Sequence, residues 1–194
     1  MEAVNRKDFC PRNAFIDNPE SIGYGATISA PHMHGYALEM LEPYLRPGMK
    51  ALDIGSGSGY LSACMAHMVG ERGKVVGVEH IKELVEASIR NCRKSHSEWI
   101  DNGLLKLIEG DGRLGYKSEG PYDCIHVGAA APSKPDALID QLNSPGRLFI
   151  PVGTTDQAIV IYDKDKDGKV SEKKWLGVQY VLLTDASTQK ARLY

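Results

Sequence analysis

Hydrophobic residues recur along this chain with the spacing of short helices and short strands. Apolar pairs recur every four residues from Tyr36 to Leu45, which predicts a helix with one apolar face. Pro31 suits the first turn of that helix, and Pro47 with Gly48 ends the pattern. Next, "KALDI" at residues 50–54 predicts a buried strand, and residues 60–69 return to a helical pattern. The order is therefore helix, strand, glycine-rich loop, helix.

The same strand-then-helix plan repeats further along the chain. Residues 74–79, "KVVGVE", predict a strand, and a helix follows from Ile81 to about Trp99. Three more strand-like runs, "LLKLIEG", "YDCIHVGA" and "GRLFIPVG", come after it. After Gly153 the pattern changes, because "QAIVIYDKDKDGKV" enters a turn and "WLGVQYVLL" predicts a returning strand. We predict an α/β fold with a doubly wound, mostly parallel sheet, an antiparallel C-terminal part, and one domain over residues 1–194.

Composition and charge narrow the class of protein. The 23 basic and 25 acidic residues are interspersed and give a net charge of −2, so no basic surface for nucleic acid is expected. No segment approaches the run of about 18 apolar residues that spans a membrane. Four cysteines lie far apart in the sequence, which favours reduced, buried thiols and a cytoplasmic location.

The stretch "LDIGSGSG" at residues 52–59 carries the first candidate chemistry. Its three alternating glycines stand between a strand and a helix, where the backbone can turn sharply and approach a ligand. A dinucleotide fingerprint would need glycine at position 60, which is Tyr60 here, so the spacing argues against NAD. Glu79 follows at the end of the next strand, where a carboxylate can accept hydrogen bonds from both hydroxyls of a ribose.

S-adenosylmethionine meets these demands. Its ribose would bind Glu79, its amino group lies within reach of Asp53 at the end of the first strand, and its carboxylate suits the helix N-terminus after Gly59. Further along, Asp111 can reach the adenine amino group while Gly112 leaves room for the ring.

Other polar stretches favour no metal. His32 and His34 in "TISAPHMH" are two residues apart and point away from each other on a helix. The run "DKDKDG" resembles a calcium loop, but its twelfth position is Lys174 rather than glutamate, which favours a hairpin turn. His126 lies within a strand and is predicted to be a packed, hydrogen-bonded core histidine.

Several segments together suggest a family. The stretches "ATISAPHMH", "LDIGSGSGYL", "VVGVEH", "EGDGRLGY", "PYDCIHVGAAAP", "LIDQL", "GRLFIPVG" and "VLLTDASTQ" occur in that order between Asn18 and Gln189. In them the sequence resembles the protein-L-isoaspartate (D-aspartate) O-methyltransferases, which implies a class I S-adenosylmethionine-dependent methyltransferase fold. The helical lead-in that the family usually carries before "AVNRKDFCPRNAF" is largely absent, so a weaker grip on the substrate or a lower stability is expected. The short link after "GRLFIPVG" leaves the C-terminal register open.

The resemblance also implies site residues. Ser29 matches the residue usually assigned as the active site. Cofactor-binding positions are implied at Ala26, Thr27, Ile28, Ser29, His34, Asp53, Ile54, Gly55, Ser56, Gly57, Ser58, Gly59, Glu79, His80, Asp111, Gly112, Thr184 and Gln189.

The implied reaction moves a methyl group from S-adenosylmethionine, leaving S-adenosylhomocysteine, to the free α-carboxylate of L-isoaspartyl and D-aspartyl residues in damaged proteins and peptides. The ester then closes to a succinimide, which starts repair. Because that carboxyl has a pKa of about 3.5, it is ionised at neutral pH and needs no general base. Ser29 would orient it by donating a hydrogen bond. Two alternatives are a non-catalytic adaptor that recognises damage and a methyltransferase acting on RNA.

Overall fold

The computed structural model describes residues 1–191, so the last three residues of the predicted domain lie outside it. The strands are β1 (Glu20–Gly23), β2 (Ala26–Ile28), β3 (Lys50–Ile54), β4 (Lys74–Glu79), β5 (Leu105–Glu109), β6 (Tyr122–Val127), β7 (Leu142–Val152), β8 (Gln157–Lys164) and β9 (Val170–Val178). The α-helices are α1 (Pro31–Leu41), α2 (Tyr60–Val69), α3 (Lys82–Arg93), α4 (Ser97–Asp101), α5 (Asp136–Ile139) and α6 (Ala186–Ala191). Short 3-10 turns cover Arg6–Asp8, Glu42–Tyr44, Gly112–Leu114 and Lys117–Glu119.

Seven strands form one sheet in the order β5-β4-β3-β6-β7-β8-β9, and β1 pairs with β2 in a separate hairpin. The pairs from β5 to β7 are parallel, whereas β8 and β9 are added antiparallel. The predicted mostly parallel sheet with an antiparallel C-terminal part is confirmed.

The core lies on both faces of this sheet because successive side chains of a strand point in opposite directions. Ala51 of β3 belongs to the buried cluster on one face, together with α1 and α2. Leu52 belongs to the cluster on the other face, beside its register neighbours Val76 and Ile125. Because both faces are covered, the parallel strands carry buried apolar residues at successive positions rather than at every second one.

Two predicted helices end earlier than their patterns suggested. Helix α1 stops at Leu41 rather than at Pro47, because Pro43 has no backbone N–H to continue it. The helix predicted over residues 81–99 is divided into α3 and α4. Its interruption coincides with the polar stretch 93–97, where the His96 backbone leaves the helical region and its ring stacks on Trp99 at 3.8 Å.

The predicted strand "WLGVQYVLL" differs from the structure. Strand β9 begins at Val170 and ends at Val178, and the chain then leaves the sheet. The Gln157 side chain accepts from the Tyr180 backbone N–H and donates to its carbonyl, at 2.6 and 3.0 Å. Leu182 then pairs with Ala130, which carries the segment across the end of the sheet.

The predicted hairpin turn and the predicted buried cysteines are confirmed by local geometry. The segment "DKDKDG" forms the turn between β8 and β9, where one carboxylate oxygen of Asp165 accepts from the backbone of Asp167 and Lys169, both at 2.9 Å. The four cysteines are free and buried. Among residues 1–191, no helix is long and apolar enough to cross a membrane.

Candidate active site

A cavity of about 240 Å³ opens at the carboxyl ends of β3, β4 and β6. It lies where the chain leaves a parallel sheet, which is the usual ligand position in open α/β folds. The β1–β2 hairpin and residues 179–184 cover it. Eleven of the predicted site residues line it: Ala26, Thr27, Ser29, Ile54, Gly55, Gly57, Glu79, His80, Gly112, Thr184 and Gln189.

The loop after β3 and the turn after β5 contribute three glycines to the lining of the cavity: Gly55, Gly57 and Gly112. Gly59 has φ +84° and begins α2, and a Cβ there would lie 3.0 Å from Ser88 Cβ. Gly112 also has no room for a side chain, because a Cβ would overlap Ile54. Both positions need glycine. Gly59 packs closely against Ser88 of α3, whereas at Gly112 the backbone can approach a flat ligand in the cavity.

Glu79 presents a buried carboxylate to this cavity. Its side chain is 6% exposed, and its two oxygens accept from the backbone N–H groups of Gly57 and Ile81, both at 3.1 Å. A carboxylate offers about four acceptor positions, so further hydrogen bonds can be accepted from the cavity. Such a carboxylate can accept hydrogen bonds from the two hydroxyls of a ribose, which is the role that the sequence predicts for it.

Asp53 lies behind the loop rather than on the main cavity. The side chain is buried and accepts from His126 Nδ1 at 2.8 Å and from the Ser62 hydroxyl at 2.5 Å. It borders a second, smaller cavity of about 40 Å³ that Ser29 and Gly55 also line. Four further predicted residues line this smaller cavity: Ile28, His34, Ser56 and Ser58.

Two predicted residues line neither cavity. Gly59 starts the helix, as described above. Asp111 forms an ion pair with Arg113 at 2.7 Å, and hydrogen bonds from that residue lower the pKa of the Asp111 carboxyl. Its neighbour Gly112 is the part of this turn that reaches the cavity.

Ser29 lies at the boundary between the two cavities and lines both. Its carbonyl accepts a hydrogen bond from the Arg6 guanidinium at 2.7 Å. Tyr180 lines the main cavity together with Ser29, and burial raises the pKa of the Tyr180 hydroxyl. Sequence reasoning missed Tyr180 and Arg6, because neither stands in a motif whose spacing indicates a site.

Gln189 connects the C-terminal helix to both sides of the cavity. Its side-chain oxygen accepts from His80 Nε2 at 2.7 Å, and its amide nitrogen donates to the Tyr24 carbonyl at 2.9 Å. His80 and Gln189, which were predicted separately as site residues, are therefore brought together across 109 residues of sequence.

His34 is buried beside Arg6. Because a guanidinium can only donate, the 2.9 Å contact places the lone pair of His34 on Nδ1 and its proton on Nε2. Burial and the nearby Arg6 charge lower the pKa of His34 well below its usual value of 6.5.

His34 makes the fold sensitive to acid. The unfolded chain binds a proton at this ring below about pH 6.5, whereas the folded chain does not, so the free energy of unfolding falls as pH drops through this range. We expect His34→Gln, which keeps an acceptor for Arg6, to lose up to about 1.4 kcal/mol per pH unit of that dependence. Urea unfolding at pH 7.5, 6.5 and 5.5 measures it. The exposed His67→Gln is the control, and an equal pH dependence in wild type and His34→Gln would contradict the assignment.

The strand order and the cavity at the carboxyl ends of the parallel strands define a class of protein, the class I S-adenosylmethionine-dependent methyltransferases. The whole architecture agrees with a Plasmodium falciparum protein-L-isoaspartate O-methyltransferase solved in complex with S-adenosyl-L-homocysteine. The two have a TM-score of 0.87 and 35% identity over 95% of this chain and 88% of that chain.

Sequence comparisons narrow the class to one family. The model of protein-L-isoaspartate(D-aspartate) O-methyltransferases matches residues 1–188. Protein-L-isoaspartate O-methyltransferase 1 of Arabidopsis thaliana is 53% identical over 97% of this chain and 84% of its own length. The Caenorhabditis elegans protein-L-isoaspartate O-methyltransferase is 52% identical over the same shares. The chain therefore belongs to the protein-L-isoaspartate (D-aspartate) O-methyltransferase family, which confirms the predicted family, fold class and enzyme class.

Proposed function

We propose that this chain transfers a methyl group from S-adenosylmethionine to the free α-carboxylate of L-isoaspartyl and D-aspartyl residues, which initiates repair through a succinimide. The observation that carries the proposal is the cavity itself, where the buried Glu79 carboxylate and the Ser29 side chain line one space. Membership of the family supports the same reaction.

The residues of the cavity fit S-adenosylmethionine. Glu79 has acceptor positions for a ribose, and Gly112 gives access for a flat ring where a side chain would overlap Ile54. Asp53 supplies negative charge behind the loop, toward a cationic amino group. When bound, the cofactor supplies a methyl group on a positively charged sulfur, which becomes neutral S-adenosylhomocysteine as the methyl leaves.

The protein's task is to align the acceptor. An ionised carboxylate is already a nucleophile, so Ser29 needs only to donate a hydrogen bond that points it at the methyl group. Tyr180 lines the same cavity and offers a second hydroxyl group to the acceptor. Opposite charges cancel along this reaction, which a partly apolar cavity favours.

The alternatives have less support. A non-catalytic adaptor would need no shaped acceptor site beside a cofactor cavity, and no observation favours it. An RNA methyltransferase would need a basic surface, while the chain has a net charge of −2.

We also propose the setting of this activity. Damaged proteins and peptides are the partners, with no metal, membrane or nucleic acid needed for the chemistry. One methyltransferase domain over residues 1–194 performs the reaction. Four free, buried cysteines support a reducing compartment, namely the cytoplasm.

A matched pair of peptides tests the proposed function. Labelled S-adenosylmethionine is incubated with the protein and with peptides of one sequence that differ only in an isoaspartyl or an aspartyl linkage. We expect label in the isoaspartyl peptide alone, lost again as base-labile methanol. Binding of the peptide without transfer would support the adaptor instead, and equal labelling of both peptides would contradict isoaspartyl selectivity.

A further inference from the structure

Arg6 is a buried cation without an adjacent acid. Its side chain is 4% exposed, and its two terminal nitrogens bind His34 Nδ1 at 2.9 Å and the Ser29 carbonyl at 2.7 Å. The guanidinium carbon lies 5.1 Å from the centre of the Tyr60 ring, and Nε has no partner among the described residues. Within residues 1–191, no carboxylate oxygen lies within 4.0 Å of this guanidinium.

The surrounding groups do not neutralise it. Asp17 acts on Arg6 from a distance, but its carboxylate is exposed and is bound to His32 at 2.8 Å. Cys64 also faces Arg6, and because burial raises the pKa of its thiol to about 11, it carries no charge at neutral pH. Burial lowers the pKa of the Arg6 guanidinium, yet arginine starts above about 12 and stays charged.

An uncompensated buried charge is costly, and proteins normally pair such groups. The local fold holds Arg6 there all the same. The Asp8 side chain accepts from the Ser95 hydroxyl at 2.6 Å, and Phe9 packs on Tyr60 at 5.6 Å. The N-terminal segment thus inserts the cation against the inner side of Ser29, whose other side lines the cavity.

We propose that Arg6 is a specificity-determining and positioning residue, whose buried positive charge selects an ionised α-carboxylate at Ser29 over a neutral group of the same shape. Arg6 does not touch the substrate. Its guanidinium binds the Ser29 carbonyl, and the Ser29 side chain contacts the substrate, so the positive charge attracts the carboxylate from behind Ser29. Its two hydrogen bonds also fix Ser29 and the neutral His34 relative to each other. The inference rests on the proposed function, since it takes the substrate carboxylate as the anion.

Two peptides that differ by one group test the proposal. One carries an isoaspartyl residue and the other its isoasparaginyl analogue, in which a carboxamide replaces the α-carboxylate. Their Kd values are measured by fluorescence anisotropy on the complex with S-adenosylhomocysteine, so that no transfer takes place. We expect wild type to prefer the carboxylate by about tenfold or more, and Arg6→Met to reduce that preference to about threefold or less.

Controls separate charge from structure. Arg90→Met removes an arginine that is 67% exposed and should keep the wild-type preference. Arg6→Lys keeps the charge with fewer hydrogen bonds, so it should weaken both peptides yet retain the preference. The Kd of S-adenosylhomocysteine reports whether each variant is folded. Should Arg6→Met fail to fold, Arg6→Gln replaces it.

The outcomes are distinct. A folded Arg6→Met or Arg6→Gln with an unchanged preference overturns the role of Arg6. If neither neutral variant folds, Arg6→Lys decides, since loss of the preference there overturns the proposal and its retention supports it. Absence of methyl transfer by wild type, in the peptide experiment above, would instead contradict the proposed function.

Discussion

Ser29→Ala is expected to lower kcat/KM for an isoaspartyl peptide by about 100-fold, because a hydrogen bond to a charged group and the alignment that it gives are both lost. The Kd for S-adenosylhomocysteine should stay within about twofold of wild type, since cofactor contacts are proposed mainly at Glu79 and the glycine loop. Steady-state kinetics and calorimetry measure the two quantities. The fold should be retained, because Arg6 binds the Ser29 carbonyl, which alanine keeps.

Ser21→Ala is the matched control. Ser21 lies on the paired strand of the same hairpin, is exposed, and has no contact with the cavity, so its kcat/KM should match wild type. An unchanged kcat/KM in Ser29→Ala would remove Ser29 from the proposed role and leave the Tyr180 hydroxyl as the group beside the acceptor.

Elements with strong local patterns could be predicted from the sequence. The runs at residues 50–54 and 74–79 became β3 and β4 with the same bounds, because buried parallel strands are continuous apolar segments. The Glu79 carboxylate could be placed for a similar reason, since the carboxyl ends of neighbouring parallel strands meet at one edge of the sheet.

What depends on distant contacts could not be predicted. The spacing predicted Asp53 as a ligand group but not its partners in the protein, since only the folded packing reveals that its oxygens accept from Ser62 and His126. Tyr180 reaches the site because the Gln157 side chain holds the chain after β9 away from the sheet. Neither Asp53 nor Tyr180 stands in a sequence pattern that indicates which residues it contacts in the fold.

Arg6 shows the same limit at the other end of the chain. The stretch "AVNRKDF" is polar and aperiodic, which is typical of an exposed terminus, whereas the structure buries its arginine against Ser29. A single sequence does not distinguish a solvated arginine from a buried one, because burial here depends on residues 23 and 28 positions away.

Glu79→Gln is expected to weaken S-adenosylhomocysteine binding by about 100-fold, which calorimetry measures directly. The amide has nearly the same size, but it replaces one acceptor oxygen with an NH2 group that cannot accept from Gly57 or Ile81. One backbone N–H then loses its partner, and the carboxylate that would accept from both ribose hydroxyls is gone. Leaving a buried donor unpaired also costs about 1–3 kcal/mol of stability, so the Tm should fall.

Glu109→Gln separates a local effect from a general loss of charge. Glu109 is the register neighbour of Glu79 on β5 and ends its strand at the same edge, but it is exposed and does not line the cavity. Its variant should bind S-adenosylhomocysteine like wild type. If Glu79→Gln binds as tightly as Glu109→Gln, the buried carboxylate does not hold the ribose, and the glycine loop must supply the affinity through its backbone alone.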